Sequence, residues 1–186
     1  EQVRRMLLEA LLKRAQEHLQ KGQEPTRPAD DRIQSLRNAL EQFHDATELK
    51  PEGAQAQEAR EGEEKAKDLL ARALAEEGTR KTMANSMVMP KANEAQVPQM
   101  DLAQIREGVN MLEDATTLKP DDPNYAQQLD QGRERLANAL VRQAQIYQMI
   151  EPRIPRVDDQ LGILRMGLEL TEQALEQKPN HAQARQ

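Results

Sequence analysis

The stretch RIQSLRNALEQFHDATELKP, residues 32–51, decides the fold because it returns twice at the same length. Its copies are DLAQIREGVNMLEDATTLKP at 101–120 and QLGILRMGLELTEQALEQKP at 160–179. Aligned on their last prolines, the three carry apolar residues at steps of three and four, the spacing of one face of an α-helix. The aligned sets are Ile33/Leu102/Leu161, Leu36/Ile105/Leu164, Leu40/Val109/Leu168, Phe43/Leu112/Thr171 and Ala46/Ala115/Ala174. The chain therefore contains an internal helical repeat.

Three further features recur in the same register. They are a small residue (Ala39, Gly108, Gly167), an arginine (Arg37, Arg106, Arg165) and a closing Lys-Pro (Pro51, Pro120, Pro179). A proline cannot continue a helix and a lysine suits the negative end of the helix dipole, so each copy is expected to end there. The arginines indicate either a row of ligand-binding side chains or structural pairs. Glutamates four residues on, Glu41 and Glu169, favour structural pairs.

A partner helix precedes each copy in the sequence. LLEAL at 7–11, LARAL at 70–74 and LANAL at 136–140 overlay one another, so the partner helix repeats as well. Each pair predicts an α-hairpin that cannot cover its own apolar face, and neighbouring hairpins must then stack. The sequence thus predicts an all-α, single-domain α-solenoid of about three antiparallel hairpins, at about 1–51, 52–120 and 121–179, with 180–186 starting a further helix. We expect more than about 60% helix and no sheet.

Helix-start and helix-stop residues set the expected boundaries. Glycines are expected to end helices in a left-handed conformation, and aspartates to accept hydrogen bonds from the free N–H groups at a helix start. The expected helices run over 2–21 before Gly22, 32–49 after Asp30 or Asp31, 54–77 before Gly78, the copy at 101–120, 124–150 and 160–177. Residues 79–100 are expected to form the longest loop.

Composition limits the classes of function. The 186 residues carry a net charge of −6, only 2% aromatic residues and no cysteine. An acidic chain with few aromatic side chains argues against nucleic-acid binding. The lack of cysteine excludes disulfides, thiolate metal sites and cysteine nucleophiles, and leaves cytoplasm and periplasm both open. The longest apolar run, MLLEALL, is too short to span a bilayer, so no membrane insertion is expected.

Both ends of the chain look like interrupted repeats. The tail PNHAQA at 179–184 resembles PEGAQA at 51–56, where another first helix begins, whereas residue 1 falls near the middle of such a helix. The sequence therefore predicts a processed protein or a piece of a longer array. Its terminal apolar faces are expected to be covered by association, with further copies or with flanking repeats.

The repeated helix resembles the second helix of a tetratricopeptide repeat. The matching residues are Ala39, Phe43, Ala46, Leu49 and Pro51, then Gly108, Leu112, Ala115, Leu118 and Pro120, then Gly167, Thr171, Ala174 and Pro179. The three prolines stand 69 and 59 residues apart, whereas units of that family have about 34 residues. The resemblance thus implies elongated hairpins in an α-solenoid that binds other proteins on its concave face.

Few residues indicate catalysis or metal binding. A catalytic site needs a nucleophile, a base and an orienting group in one pocket. His18, His44 and His181 fall in unrelated contexts, and Glu48 alone stands at metal-site spacing from a histidine, His44. The mixed charges of EAREGEEKAKD are typical of a solvated helix face. We therefore expect no enzymatic activity and no cofactor.

Candidate partner-binding residues lie in two predicted loops. Met83, Met87 and Met89 carry thioethers, which bind copper(I) when about three ligands converge. Adaptable apolar contact with a partner is the favoured interpretation. Arg153 and Arg156 form a small exposed basic point between prolines.

These observations predict a protein–protein interaction scaffold that holds a segment of a partner protein in a helical groove. The alternative is a structural or oligomerisation module of a larger protein with no separate ligand. A third interpretation is an enzyme or small-molecule carrier built in a helical groove. Fold alone does not choose among them.

Overall fold

The computed structural model describes residues 2–84, 87–88, 99–151 and 156–185. The fold is all-α, as predicted, and most of these residues belong to α1 (Gln2–Gln23), α2 (Ala29–Glu48), α3 (Gly53–Met83), α4 (Leu102–Leu118), α5 (Pro123–Ile150) and α6 (Val157–Gln177). A short 3₁₀ helix, Gln183–Arg185, lies where the sequence predicts the start of a further helix. Among the described residues, no helix is both long and apolar enough to cross a bilayer.

The predicted loop at 79–100 begins later than expected and contains a β pairing. α3 continues to Met83, and β1 (Met87–Val88) pairs antiparallel with β2 (Gln99–Met100). The expectation of no sheet is therefore wrong for these four residues.

Gly22 and Gly78 do not end helices, contrary to the expectation from the sequence. Both lie inside helices, α1 and α3 respectively. A Cβ atom on Gly22 would lie 2.5 Å from Cγ of Leu36, so this glycine makes room for the side chain of α2. The physical role of both glycines is close packing rather than a left-handed turn.

Different features determine where α2 starts and where it ends. Asp30 and Asp31 lie in its first turn, where they complement the helix dipole, but Pro28 precedes the helix and no side chain caps it. The predicted aspartate cap is therefore wrong. At the other end, Lys50 has a φ of +48° and its N–H donates to the carbonyl of Thr47 at 2.9 Å. This left-handed residue, followed by Pro51, ends the helix.

The chain divides into two compact units. The first comprises Glu1–Glu77 and Asp114–Tyr125, and the second Gly78–Glu113 and Ala126–Gln186. In the first unit α1 packs on α2, and the ring of Phe43 lies on the backbone of α3 at Gly62. In the second, the buried cluster consists of Ile105, Val109, Leu136, Ala137, Ala139, Leu140, Val141, Ala174 and Ala184.

The two helices of each hairpin carry small residues at equivalent places. Gly78 of α3 meets Gly108 of α4 directly. Gly167 of α6 occupies the repeat position of Gly108, and its nearest neighbour is the carbonyl oxygen of Ala144 in α5. In the first hairpin the equivalent residues are both fully buried alanines, Ala15 and Ala39. The small residue of the repeat therefore allows close helix approach.

In the second and third hairpins, the lysine before the closing proline contacts the first helix of the same hairpin. It meets two carboxylates one turn apart at equivalent positions: Glu64 and Asp68 for Lys119, and Asp130 and Glu134 for Lys178. The Nζ atom of Lys119 lies 2.5 Å from Oδ1 of Asp68 and 3.2 Å from Oε2 of Glu64. The same ion-pair arrangement is thus present in two of the three copies.

The repeat arginines join the second helix of one hairpin to the second helix of the next hairpin. Nη2 of Arg37 lies 3.2 Å from Oδ2 of Asp114, and Arg106 donates to the side chain of Gln173 at the equivalent position. For Arg37, the predicted partner Glu41 on its own helix is therefore wrong. A contact between repeats replaces a contact within one helix.

The apolar stripe is buried in two copies and exposed in the third. Leu40 is half-buried and Val109 is buried, but Leu168 is 60% exposed. The repeat register predicts equivalent burial of these three aligned residues, and this prediction is wrong for Leu168. Within the third copy the buried residues of α6 are the small ones, Gly167 and Ala174.

Candidate functional site

A cavity of about 370 Å³ opens beside the loop end of the second hairpin, within the second unit. Its walls come from the end of α3, from β2, α4 and α5, and consist of Thr82, Met83, Ala84, Met100, Ile105, Arg135, Asn138, Ala139 and Arg142. We call it the α5 cavity, after the helix that supplies four of these residues. Two arginines and no carboxylate stand among them.

Helix α5 places its contribution on one face. Residues 135, 138, 139 and 142 follow steps of three, one and three, so they line the same side of the helix. Nη1 of Arg135 donates to Oγ1 of Thr82 at 3.2 Å, which holds this guanidinium against the α3 wall. Arg142 lies two turns further along and is exposed. Two cationic groups therefore flank one side of the cavity.

Apolar side chains provide the other walls. Ile105 is buried beneath the cavity, whereas Met83, the last residue of α3, is 59% exposed. The N–H of Met100 donates to Oε1 of the buried Gln143 at 2.8 Å, which attaches β2 to α5. Two thioether side chains thus stand beside the two guanidinium groups.

An equivalent cavity of about 320 Å³ lies in the first unit, and we call it the α3 cavity. The four α3 residues in its wall, Leu69, Arg72, Ala73 and Glu76, overlay the four α5 residues in the repeat register. Nε of Arg72 lies 2.8 Å from Oε1 of Glu76, and this hydrogen bond raises the pKa of the Arg72 guanidinium. In the repeat alignment, Arg142 of α5 corresponds to Glu76 of α3. Both cavities therefore have two arginines in their walls, Arg32 and Arg72 in the α3 cavity and Arg135 and Arg142 in the α5 cavity, but only the α3 cavity has a carboxylate, Glu76, to pair with one of them.

The structure separates the candidate residues of the two predicted loops. Met83 lines the α5 cavity, and Met87 lies in β1. Arg156 is exposed immediately before α6 and is not part of that cavity. Met89 and Arg153 lie outside the described residues.

The histidines occupy separate environments. Nδ1 of His44 lies 3.4 Å from Oε1 of Glu63 on α3. His181 is buried, and its Nδ1 accepts a hydrogen bond from the N–H of Ala184 at 3.3 Å. Its Nε2 lies 3.3 Å from Oδ1 of Asn138, so this histidine fastens the tail to α5. Within the described ranges, no three His, Asp or Glu side chains are grouped to hold a metal ion.

Sequence reasoning missed Arg135, Asn138 and Arg142 because it sought binding residues in the loops. The signal lay in the helix beside the LANAL motif. There α5 carries arginines at the two positions where α3 has Leu69 and Glu76. A comparison of the first helices, position by position, identifies this change of charge.

No protein-family model matches the chain, and no curated protein matches its sequence.

Proposed function

We propose that the chain is a non-catalytic protein–protein interaction module that binds a short segment of a partner protein in the α5 cavity. One observation carries this proposal: the repeat keeps the cavity and changes its charge, from Glu76 in α3 to Arg142 in α5. A volume of about 370 Å³ suits a few side chains rather than a folded domain.

The chemistry of the walls defines the segment. Met83 and Met100 offer adaptable apolar contact. Arg135 and Arg142 offer charge-assisted hydrogen bonds to carboxylates. The favoured partner segment therefore joins a large apolar side chain to one or two acidic residues. The resemblance to tetratricopeptide repeats supports this kind of partner, because such arrays bind segments of other proteins.

The test is selection of a phage-displayed random peptide library on the wild-type chain, followed by fluorescence anisotropy with the enriched peptides. We expect enrichment of sequences that pair Asp or Glu with Leu, Met or Phe. The variant Arg142→Glu should weaken their binding at least about tenfold, a loss of about 1.4 kcal/mol. Met83→Ser should weaken it independently, through the apolar wall.

The matched control is Arg72→Glu, which changes an arginine on the equivalent face of α3. Peptides that occupy the α5 cavity should bind this variant as tightly as the wild type. Enriched peptides without acidic residues, or binding that is unchanged in Arg142→Glu, would show that the α5 cavity is not the partner site.

A further inference from the structure

Helix α6 presents an apolar stripe to solvent. Val157, Leu161, Leu164 and Leu168 are 43–68% exposed, and their spacing of four, three and four places them on one face. In the repeat alignment, Leu161, Leu164 and Leu168 correspond to Ile33, Leu36 and Leu40 in α2. In α4 they correspond to Leu102, Ile105 and Val109. Each of those six side chains is buried or half-buried. The apolar stripe that is buried or half-buried in the first two copies is thus exposed in the third.

The first two copies show what kind of element covers this face. The ring of Phe43 lies on Gly62 of α3, and the side chain of Leu112 lies on Gly132 of α5. Val109 faces the same helix, beside Leu136. In both cases the cover is the first helix of the following hairpin. The occupant that fits α6 is therefore another first helix.

Helix α1 is a first helix with the matching face uncovered. Its Val3 and Leu7 are 80% and 49% exposed, and Ala10 is exposed as well. The same positions in α5 are Gly132, Leu136 and Ala139, all buried, and those in α3 are Ala66, Leu70 and Ala73, also buried. The exposed face of α1 is thus the one with which α5 packs on α4.

Side-chain size at the two exposed faces is the reverse of that at the contact between α4 and α5. Where Leu112 of α4 lies on Gly132 of α5, a large residue meets a glycine. The corresponding residues are Thr171 on α6 and Val3 on α1. Here the smaller residue is on the second helix and the larger one on the first, so a loss of side-chain volume at Thr171 is accompanied by a gain at Val3.

Charges are complementary as well. Arg37 pairs with Asp114 of the next second helix at 3.2 Å, and Arg106 donates to Gln173 at the same position. The next member of the arginine row is Arg165, which is exposed. The acceptor at the equivalent position of α2 is Asp45, which is also exposed. An α6–α1 junction in the same register brings these opposite charges together.

We propose that the face of α6 binds the α1 face of a second copy of this chain, in the register with which α4 binds α5, with Arg165 beside Asp45 of the second copy. The interface is heterologous: two different surfaces meet, so an assembly of any length keeps one free α1 face at one end and one free α6 face at the other. Self-association then adds copies one at a time.

The test uses sedimentation velocity with the 186-residue chain and two blocked variants. Leu164→Glu with Leu168→Glu blocks α6, and Val3→Glu with Leu7→Glu blocks α1. We expect the wild type to grow in sedimentation coefficient with concentration, each blocked variant to stay monomeric, and their mixture to form a complex of two chains. Far-UV circular dichroism checks that the variants, all at exposed positions, remain folded.

Two outcomes would overturn the proposal. Self-association of the α1-blocked variant would mean that α6 binds α6. A monomeric wild type, or no complex in the mixture, would mean that another helix is the natural cover of these faces.

A charge exchange tests the register independently. Arg165→Asp in the α1-blocked variant should weaken the mixed complex by at least about tenfold, and Asp45→Arg in the α6-blocked variant should restore it. Arg156→Asp, at an exposed arginine of the same unit, is the matched control and should leave the complex unchanged. Equal effects of Arg165→Asp and Arg156→Asp, or no restoration by Asp45→Arg, would refute the register.

Discussion

Gly78 and Gly108 meet without side chains between them: a Cβ atom on either residue would lie 2.7 Å from the carbonyl oxygen of the other. That separation is shorter than carbon–oxygen contact, so any side chain at either position must push α3 and α4 apart. The glycines therefore set the spacing of the second hairpin.

Replacement of Gly108 by alanine should reduce the free energy of unfolding by about 1–3 kcal/mol, because the new methyl group forces a backbone shift. The matched control is Gly167→Ala at the same repeat position, where the nearest atom to the new Cβ lies 3.7 Å away. This control should be neutral or stabilising by up to about 1 kcal/mol, since alanine favours a helix. Urea denaturation followed by circular dichroism measures both, and equal losses would contradict the observed packing.

Burial of the apolar stripe differs between the copies, and truncation of Leu112 in α4 and Leu168 in α6 should reveal the difference. Leu112→Ala should lower the free energy of unfolding by about 2–5 kcal/mol, because this side chain is fully buried. Leu168→Ala should lower it by less than about 0.5 kcal/mol at concentrations where the chain is monomeric. Chemical denaturation compares the two. A loss at Leu168 as large as that at Leu112 would mean that α6 is covered within a single chain.

The ion pair of Lys119 with Asp68 should contribute little to stability. Both side chains retain solvent contact, so the coupling energy from a double-mutant cycle of Lys119→Met and Asp68→Asn should be below about 1 kcal/mol. It should fall further as salt is added. A larger coupling that salt does not change would indicate a buried pair instead.

Acid should weaken the same cluster through Glu64. Hydrogen bonds from Lys67 and then Lys119 hold the pKa of this carboxyl below its usual value of 4.5. Because the folded pKa is the lower one, the stabilisation is present above about pH 4.5 and is lost as the pH falls through the lowered pKa. The urea midpoints of wild type and Glu64→Gln should thus differ at neutral pH and converge in acid. A difference that persists unchanged in acid would assign the effect to shape rather than charge.

The sequence predicted local features well. Helix α5 lies within one residue of the expected 124–150, since Pro123 and Asp122 mark its start. The Lys-Pro ends of the three copies were also located, because a proline stops a helix whatever surrounds it. Periodicity and stop residues act over a few positions, and these are visible in a single chain.

Features that depend on distant residues were not predictable in this way. From the sequence, Gly78 is expected to end a helix, because helical periodicity does not show that Gly108 will lie against it. The partner of Arg37 is Asp114, in another repeat, whereas spacing proposed a glutamate one turn away. The α5 cavity likewise requires the end of α3 and the middle of α5 to be neighbours. Such pairings follow from packing between helices that are distant in the sequence, which periodicity does not specify.

Each hairpin has one constant end and one variable end. At the constant end, lysine, proline and a short turn recur; at the other, the connections at 24–28, 84–101 and 151–156 differ in length and composition. The α3 and α5 cavities lie beside two of these variable connections. Insertions there leave the small-residue crossings in place. The hairpin is consequently suited to evolutionary and engineered change, because a new loop can alter the wall of a cavity while the core stays the same.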